Sequence, residues 1–375
     1  MSGIYIHIPY CRQKCHYCNF FSVASFGTLP LMLRAICLET ALHKNYLKGP
    51  VETLYFGGGT PSLLEEEQLL MLMSSLETHF IFSPTAEITL EANPDDITTA
   101  RLASWKRLGI NRLSIGIQSF RDVDLHYLNR IHSADKALKC LHLARQAGFD
   151  NLTLDLIFGI PTLSDKAWLE NIKTAIDLGI PHISAYALTV EPKTALDVMI
   201  RKGRAQPVSE MQTVQHFGLL MQTMEAHGYE HYEISNYCLP GHYARHNTSY
   251  WNGVPYLGLG PSAHSYNGHS RQWNVSSLDE YLKEIQSNRL PAEKEILSLQ
   301  QQYNEFVMTG LRTRWGCDVS IIKQRFGSEY CDQFLKQAQK WLNQNHLQEN
   351  GNLFTLTTSG KLLADGIASD FFMIN

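Results

Sequence analysis

A chain of 375 residues, 44% hydrophobic and 18% charged, is long enough for a large core and two domains, and its composition excludes a disordered protein. With 32 Lys and Arg against 36 Asp and Glu the net charge is −4, so no overall basic excess draws it to nucleic acid or an anionic membrane. No apolar run reaches a bilayer span, no export signal fits ahead of Cys11, and a disulfide framework is not expected in so long a chain; together these predict a cytoplasmic protein.

The chain opens with a strand-like run, Ile4–Ile8, that ends at Pro9. Cys11, Cys15 and Cys18 follow at C-x3-C-x2-C spacing. Three thiolates this close can reach one small inorganic centre, but they do not complete a four-ligand site. Three ligands predict a centre that keeps one position for something else. The plainer readings are a zinc site completed by His7 or His16, or three ordinary thiols.

Further strands are predicted at Thr53–Phe56, Glu87–Glu91, Arg112–Ile117, Asn151–Phe158 and His182–Leu188. Between them, helical periodicity covers Glu65–Phe80, Thr98–Leu108, Ser133–Ala147 and Asp165–Leu178, with Ser133 and Asp165 as N-caps and Gly148 and Gly179 as stops. Six apolar strands alternating with helices predict an α/β fold with a parallel sheet, either doubly wound or curled towards a barrel.

In such folds ligands sit at the C-terminal ends of the strands. The first strand ends at the cysteine loop and the second in Gly57-Gly58-Gly59-Thr60-Pro61. The third ends in Glu91-Ala92-Asn93-Pro94, the fourth in Gln118-Ser119-Phe120, and the fifth carries Asp155. The glycine triplet lets backbone amides approach a ligand closely, and it is neither a P-loop nor G-x-G-x-x-G. A small zwitterion beside the metal centre fits it better than a phosphate; taken alone it is a tight turn. Glu91 and Asp155 lie in apolar surroundings where a carboxylate needs a partner, and Arg130 or a ligand are the candidates.

The cysteine spacing after Tyr5-x-His7-x-Pro9, followed by Gly57-Gly58-Gly59-Thr60-Pro61, resembles the radical S-adenosylmethionine (SAM) proteins. More narrowly, the whole chain resembles the group that contains oxygen-independent coproporphyrinogen III dehydrogenase and the heme chaperone HemW. The resemblance implies a partial (β/α)6 barrel in which Cys11, Cys15 and Cys18 hold a [4Fe-4S] cluster whose open iron is chelated by SAM. It further implies that Tyr5 and Tyr17 line the pocket and that Gly58, Gly59 and Thr60 bind the SAM amino group and its neighbours. Glu91, Gln118, Arg130 and Asp155 would contact SAM or a second ligand. An electron, from a donor if SAM is cleaved, would yield methionine and a 5′-deoxyadenosyl radical.

Two departures separate the branches of that group. The dehydrogenase pattern has a fourth cysteine where this chain has Phe20, and the chain begins five residues before its first motif, without the dehydrogenase's longer extension. His246-Asn247-Thr248-Ser249-Tyr250-Trp251 resembles the H-N-x-x-Y-W heme-binding segment of the chaperone branch, with His246 as the heme ligand. The expected function is therefore a heme chaperone delivering heme to an acceptor protein; the alternative is oxidative decarboxylation of coproporphyrinogen III.

Residues 229–266 read as a loop-rich cover over the sheet edge, dense in His and aromatics. Beyond Pro291, helices are predicted at Glu295–Arg312, Val319–Phe326 and Glu329–Asn345, then a hairpin over Leu347–Thr357 and a last helix from Thr358 to Phe371. This pattern is winged-helix-like. Its five Lys/Arg from Val319 onward (Lys323, Arg325, Lys336, Lys340, Lys361) are balanced by five Asp/Glu (Glu329, Asp332, Glu349, Asp365, Asp370), so it predicts docking or substrate covering rather than nucleic-acid binding. The expected organisation is a core over 1–235, an aromatic and His-rich loop segment over 236–290 and a C-terminal domain over 291–375.

Overall fold

The computed structural model, which describes residues 2–374, assembles the alternating pattern into one sheet. Its centre is six parallel strands in sequential order: β1 (Ser2–Ile8), β2 (Val51–Gly58), β3 (Phe82–Ala92), β4 (Arg112–Gln118), β5 (Leu152–Phe158) and β6 (His182–Ala187). That order decides between the two layouts left open by the sequence. A doubly wound sheet reverses its strand order at a switch point, whereas here every new strand joins the same edge. Right-handed crossovers then put the connecting helices on one face, and the sheet curls into a partial (β/α)6 barrel.

The helices of this core are α1 (Leu29–Leu42), absent from the sequence reading, α2 (Glu66–His79), α3 (Thr99–Arg107), α4 (Asp122–Tyr127), α5 (Ala134–Gln146) and α6 (Asp165–Asp177), followed by α7 (Ala195–Arg201) and α8 (Glu210–Ala226). Ser133 caps α5 as expected, its hydroxyl accepting the Lys136 N–H at 3.2 Å. Asp165 is not a cap: Ser164 takes that place, accepting the Ala167 N–H at 3.3 Å. Gly148 and Gly179 end α5 and α6 at φ 78° and 63°, where a side chain would be strained.

The stretch expected to be a loop-rich cover contributes four short strands to the two edges of the sheet. β7 (Glu230–Glu233) and β8 (Asn236–Cys238) extend the β6 edge antiparallel. After α9 (Arg245–Trp251), β9 (Tyr256–Leu259) pairs parallel with β1 on the opposite edge. β10 (His264–Tyr266), β11 (Ser270–Asn274) and, after α10 (Leu278–Gln286), β12 (Ala292–Ile296) continue outward. Twelve strands result, in the order β12-β11-β10-β9-β1-β2-β3-β4-β5-β6-β8-β7. These added strands are three to five residues long, too short for an alternation to be read among the glycines and histidines.

Glu39 of α1 fastens this flank to the core. Its buried carboxylate accepts the Gly260 N–H (2.8 Å), the Asn274 Nδ2 amide (2.6 Å) and the Tyr281 hydroxyl (2.6 Å). Burial nevertheless pushes its pKa up to about 7.

A second hydrophobic cluster forms at the C-terminal end. α11 (Leu299–Leu311), α12 (Val319–Phe326) and α13 (Ser328–Asn343) pack on a three-stranded sheet of β13 (Cys317–Asp318), β15 (Leu353–Leu356) and β14 (Leu347–Asn350) around Tyr303, Phe334, Phe354 and Phe371. Two expected helices differ. Glu295 and Ile296 belong to β12, because the capping box of Ser298 and Gln301 starts α11 later. The last helix is split into α14 (Thr358–Lys361) and α15 (Ala364–Asp370), with Leu363 off helical backbone at φ −117°. No helix among the described residues is long and apolar enough to cross a membrane.

Candidate functional site

The cysteine loop leaves β1 at the C-terminal edge of the barrel and is pinned at both sides. Cys11 N–H donates to Val23 O at 3.1 Å, and Val23 N–H to Pro9 O at 2.6 Å. Farther along, His16 N–H donates to Leu128 O (3.2 Å), Gln13 Nε2 to Asn129 O (3.0 Å) and Asn129 Nδ2 to Lys14 O (2.9 Å). The segment after α4 therefore serves as the seat of the loop, and it brings Arg130 Nη1 to 3.3 Å from Cys15 Sγ. The Thr60 hydroxyl donates to Cys11 Sγ at 3.6 Å.

The glycine triplet is needed by this loop as much as by any ligand. A Cβ on Gly59 would lie 2.7 Å from Tyr10 O and 2.9 Å from Cys11 Sγ, and Gly58 sits at φ 112° with a would-be Cβ 2.8 Å from His7 Nδ1. β2 can end against the cysteine loop only without side chains there. Burial, as the largest cause, raises the Cys11 and Cys18 thiols above their ordinary value. Among the described residues no three Cys, His, Asp or Glu side chains converge on a single-ion position. A closed zinc site gathers its ligands around one ion at about 2.0–2.3 Å. His7 turns its ring nitrogens to the Tyr5 hydroxyl and Phe21 O, and His16 turns Nδ1 to Tyr127 O at 3.2 Å.

Around this loop the strand ends present the expected polar residues, though not paired as expected. Glu91 is not bridged to Arg130: its carboxylate accepts the Tyr55 hydroxyl at 2.8 Å and the Gly58 N–H at 3.2 Å. Burial is the main reason its pKa rises to about 7, with Asp155 adding to it. Asp155 rises to about 6, again chiefly by burial, against the opposing pull of the Ser184 hydroxyl and Arg130. Arg130 Nη2 donates to Asn93 Oδ1 (2.6 Å) and Gly116 O (2.8 Å), while its buried Nε has no partner. Gln118 ends β4 in the left-handed region at φ 66°, with Nε2 where a Gly116 side chain would be. Tyr5, on β1, stacks on Tyr55 with ring centroids 6.0 Å apart and shares a hydrogen bond with His7 Nδ1 at 3.1 Å. Tyr17 lies in the loop by Cys15, and removal from solvent holds its phenol well above the ordinary value. Tyr17, Gly58, Gly59, Thr60 and Arg130 stand against the cysteine loop or the strand end that leads into it, and Gln118 ends β4. Tyr5 and Asp155 instead stand mid-strand, Asp155 in an inner polar pocket with Tyr55 and Glu91.

His246 does not reach an open space. It is 2% exposed behind Tyr5 and Tyr55, with Nδ1 2.8 Å from the Thr53 hydroxyl and Nε2 2.8 Å from the Tyr250 hydroxyl. The other aromatics of its segment do reach one. A cavity of about 800 Å³ opens beside the cysteine loop. Its walls are Tyr5 and His7 of β1, Phe20 and Phe21 of the loop, Tyr250 and Trp251 of α9, His264 and Arg271 of β10 and β11, and Phe306 and Arg325 of α11 and α12. Phe20 is 67% exposed on this rim.

A Radical SAM superfamily model matches residues 5–175, and a HemN C-terminal domain model matches residues 297–363. The chain is 34% identical over 382 residues to the heme chaperone HemW of Bacillus subtilis, covering 99% of each chain. The chain belongs to this HemW family of radical SAM proteins. The HemW of Mycobacterium tuberculosis is 35% identical over 97% of this chain and 93% of that one. The fold is that of HemN, the radical SAM coproporphyrinogen III oxidase of Escherichia coli, at TM-score 0.86 and 22% identity over 99% of this chain and 90% of that chain. Membership of the superfamily implies the [4Fe-4S] cluster and SAM expected from the cysteine triplet.

Three contributors escaped the sequence reading. Gly116 opens room for Gln118 and Arg130, and a glycine inside a strand is a readable mark of close approach. Tyr55, the partner of Glu91, has no such mark. His264 was one of several histidines, and only the register of β10 turns it into the cavity.

Proposed function

We propose that this chain is a heme chaperone that takes heme into the cavity beside its cysteine loop and passes it to an acceptor protein. Cys11, Cys15 and Cys18 would hold the [4Fe-4S] cluster. Gly58, Gly59, Thr60, Glu91, Gln118, Arg130 and Asp155 would contact SAM, with Tyr5 and Tyr17 lining its pocket. The site suits those groups: the three thiols share one pinned loop, Arg130 sets a cation against the Cys15 sulfur, and its buried Nε is left without a partner. When bound, the cluster and SAM supply one-electron chemistry, fed by an external donor if SAM is cleaved.

The observation that carries the reading is the cavity itself. Its volume of about 800 Å³ lies in the range of ligand pockets, and Trp251, Phe306 and Phe20 offer flat apolar surface suited to a macrocycle. The relatives named heme chaperones supply the class of cargo. The second reading, coproporphyrinogen III decarboxylation, draws on the likeness of fold to HemN and is disfavoured by Phe20 in place of a cysteine. An intracellular, cytoplasmic role belongs to the same proposal.

One preparation tests both. The chain is reconstituted with iron and sulfide without oxygen, titrated with hemin, and separately offered coproporphyrinogen III, SAM and a reductant. Stoichiometric heme binding without porphyrinogen turnover is the expected result; turnover at an enzymatic rate would sink the chaperone reading.

A further inference from the structure

Resting on heme as the occupant of that cavity, we infer that His264, not His246, provides the imidazole that binds the heme iron, with His246 a positioning residue behind Tyr250. An imidazole ligates through a ring nitrogen lone pair, so the accessible nitrogens decide the candidate. Three histidines stand near the cavity. His7 has Nδ1 engaged by the Tyr5 hydroxyl at 3.1 Å and Nε2 near Phe21 O at 3.4 Å. His246 has both nitrogens engaged at 2.8 Å and is almost wholly buried. Ligation by it would require breaking a buried hydrogen bond and displacing Tyr250. The His264 ring is exposed on the cavity face of β10 and has no hydrogen-bond partner among the described residues.

The chain builds that position deliberately. A Cβ on Gly258 would fall 2.0 Å from His264 O, and one on Gly260 2.6 Å from His7 O, so Gly258 lets β9 and β10 close on each other and Gly260 lets their turn lie against β1. Gly258 N–H donates to the Ser265 hydroxyl at 2.9 Å, which turns Ser265 inward and its neighbour His264 to the other face. Trp273, opposite His264 in the β10–β11 register, stacks on its ring at 6.2 Å and 30°. The cavity also contains a cation for a propionate. Arg271 is already bound by Glu295 and Glu305, whereas Arg325 lies over the Phe306 and Phe326 rings and pairs with no carboxylate among the described residues.

The test uses the full chain, reconstituted without oxygen and titrated with hemin. Resonance Raman of the reduced complex reads the iron–imidazole stretch. The wild type should show that stretch. His264→Ala should lose it and weaken heme binding about tenfold or more, about 1.4 kcal/mol, and added imidazole should restore the stretch. His246→Ala should keep it. His264→Met should replace nitrogen by sulfur ligation and give a changed spectrum, and it stands in should the alanine variant fail to assemble its cluster. An unchanged iron–imidazole stretch in both His264 variants overturns the inference while leaving the heme reading intact. A wild type that binds no heme overturns both.

Discussion

The two sides of β1 follow different construction rules. On one side β2 to β6 run parallel and in order, and the residues proposed to hold the cluster and SAM stand mostly at strand ends: Gly58, Glu91, Gln118 and the cysteine loop of β1 itself. On the other side β10 to β12 are antiparallel, and the residues that line the cavity stand on a strand face: His264 and Arg271 towards the cavity, with Ser265 turned inward. An end is located by where a pattern stops, whereas a face depends on a register that one residue of slip inverts.

The largest expected effect falls on the first side alone. Cys15→Ser should leave a folded chain that assembles no four-iron cluster, seen as loss of the broad cluster absorption; normal iron content would remove the cysteine assignment. Next comes the tie between the sides. Glu39→Gln cannot accept all three donors, and leaving one buried should cost about 2–3 kcal/mol in urea unfolding. If the two sides are separately built, cluster content should survive that change better than heme binding.

Gly59→Ala should cost about 2 kcal/mol, since the new methyl meets backbone that cannot swing away. Cluster assembly should suffer in proportion, and a neutral result would show that β2 does not need to touch the loop. Thr53→Val, which strips His246 of one partner, should cost about 1 kcal/mol. Glu91 contributes a slope with pH rather than a fixed increment. Its folded pKa of about 7 lies above the ordinary 4.5, so the folded state keeps a proton that the unfolded state has released between those values. Its contribution therefore makes stability fall as pH rises from 4.5 to about 7 and level off above. Glu91→Gln should flatten that slope; an identical slope in the variant would rule the residue out as its source.

The core was legible because apolar strands stop abruptly at proline or glycine, as at Ile8–Pro9 and Phe56–Gly57. The sequential strand order was not, since it arises from which edge each strand joins and not from any strand's own residues. The sheet flank was missed because three-residue strands such as His264–Tyr266 carry no period to read. In the H-N-x-x-Y-W segment Tyr250 and Trp251 face the open space, where a macrocycle could pack on them, whereas His246, expected as the ligand, stands behind them.

The placement of β1 has a consequence for how the chain is made. It is synthesised before the other strands of its sheet, yet it ends up interior to the sheet, and its second neighbour is Tyr256–Leu259. At translation rates of 5–20 residues per second, roughly 10–40 seconds separate the appearance of β2 from that of β9. Throughout that interval β1 offers an unpaired backbone edge, and the thiols beyond it lack the wall that β9 and β10 provide. For this protein the nascent chain is therefore a distinct chemical object, with its cysteine loop displayed before its cavity exists.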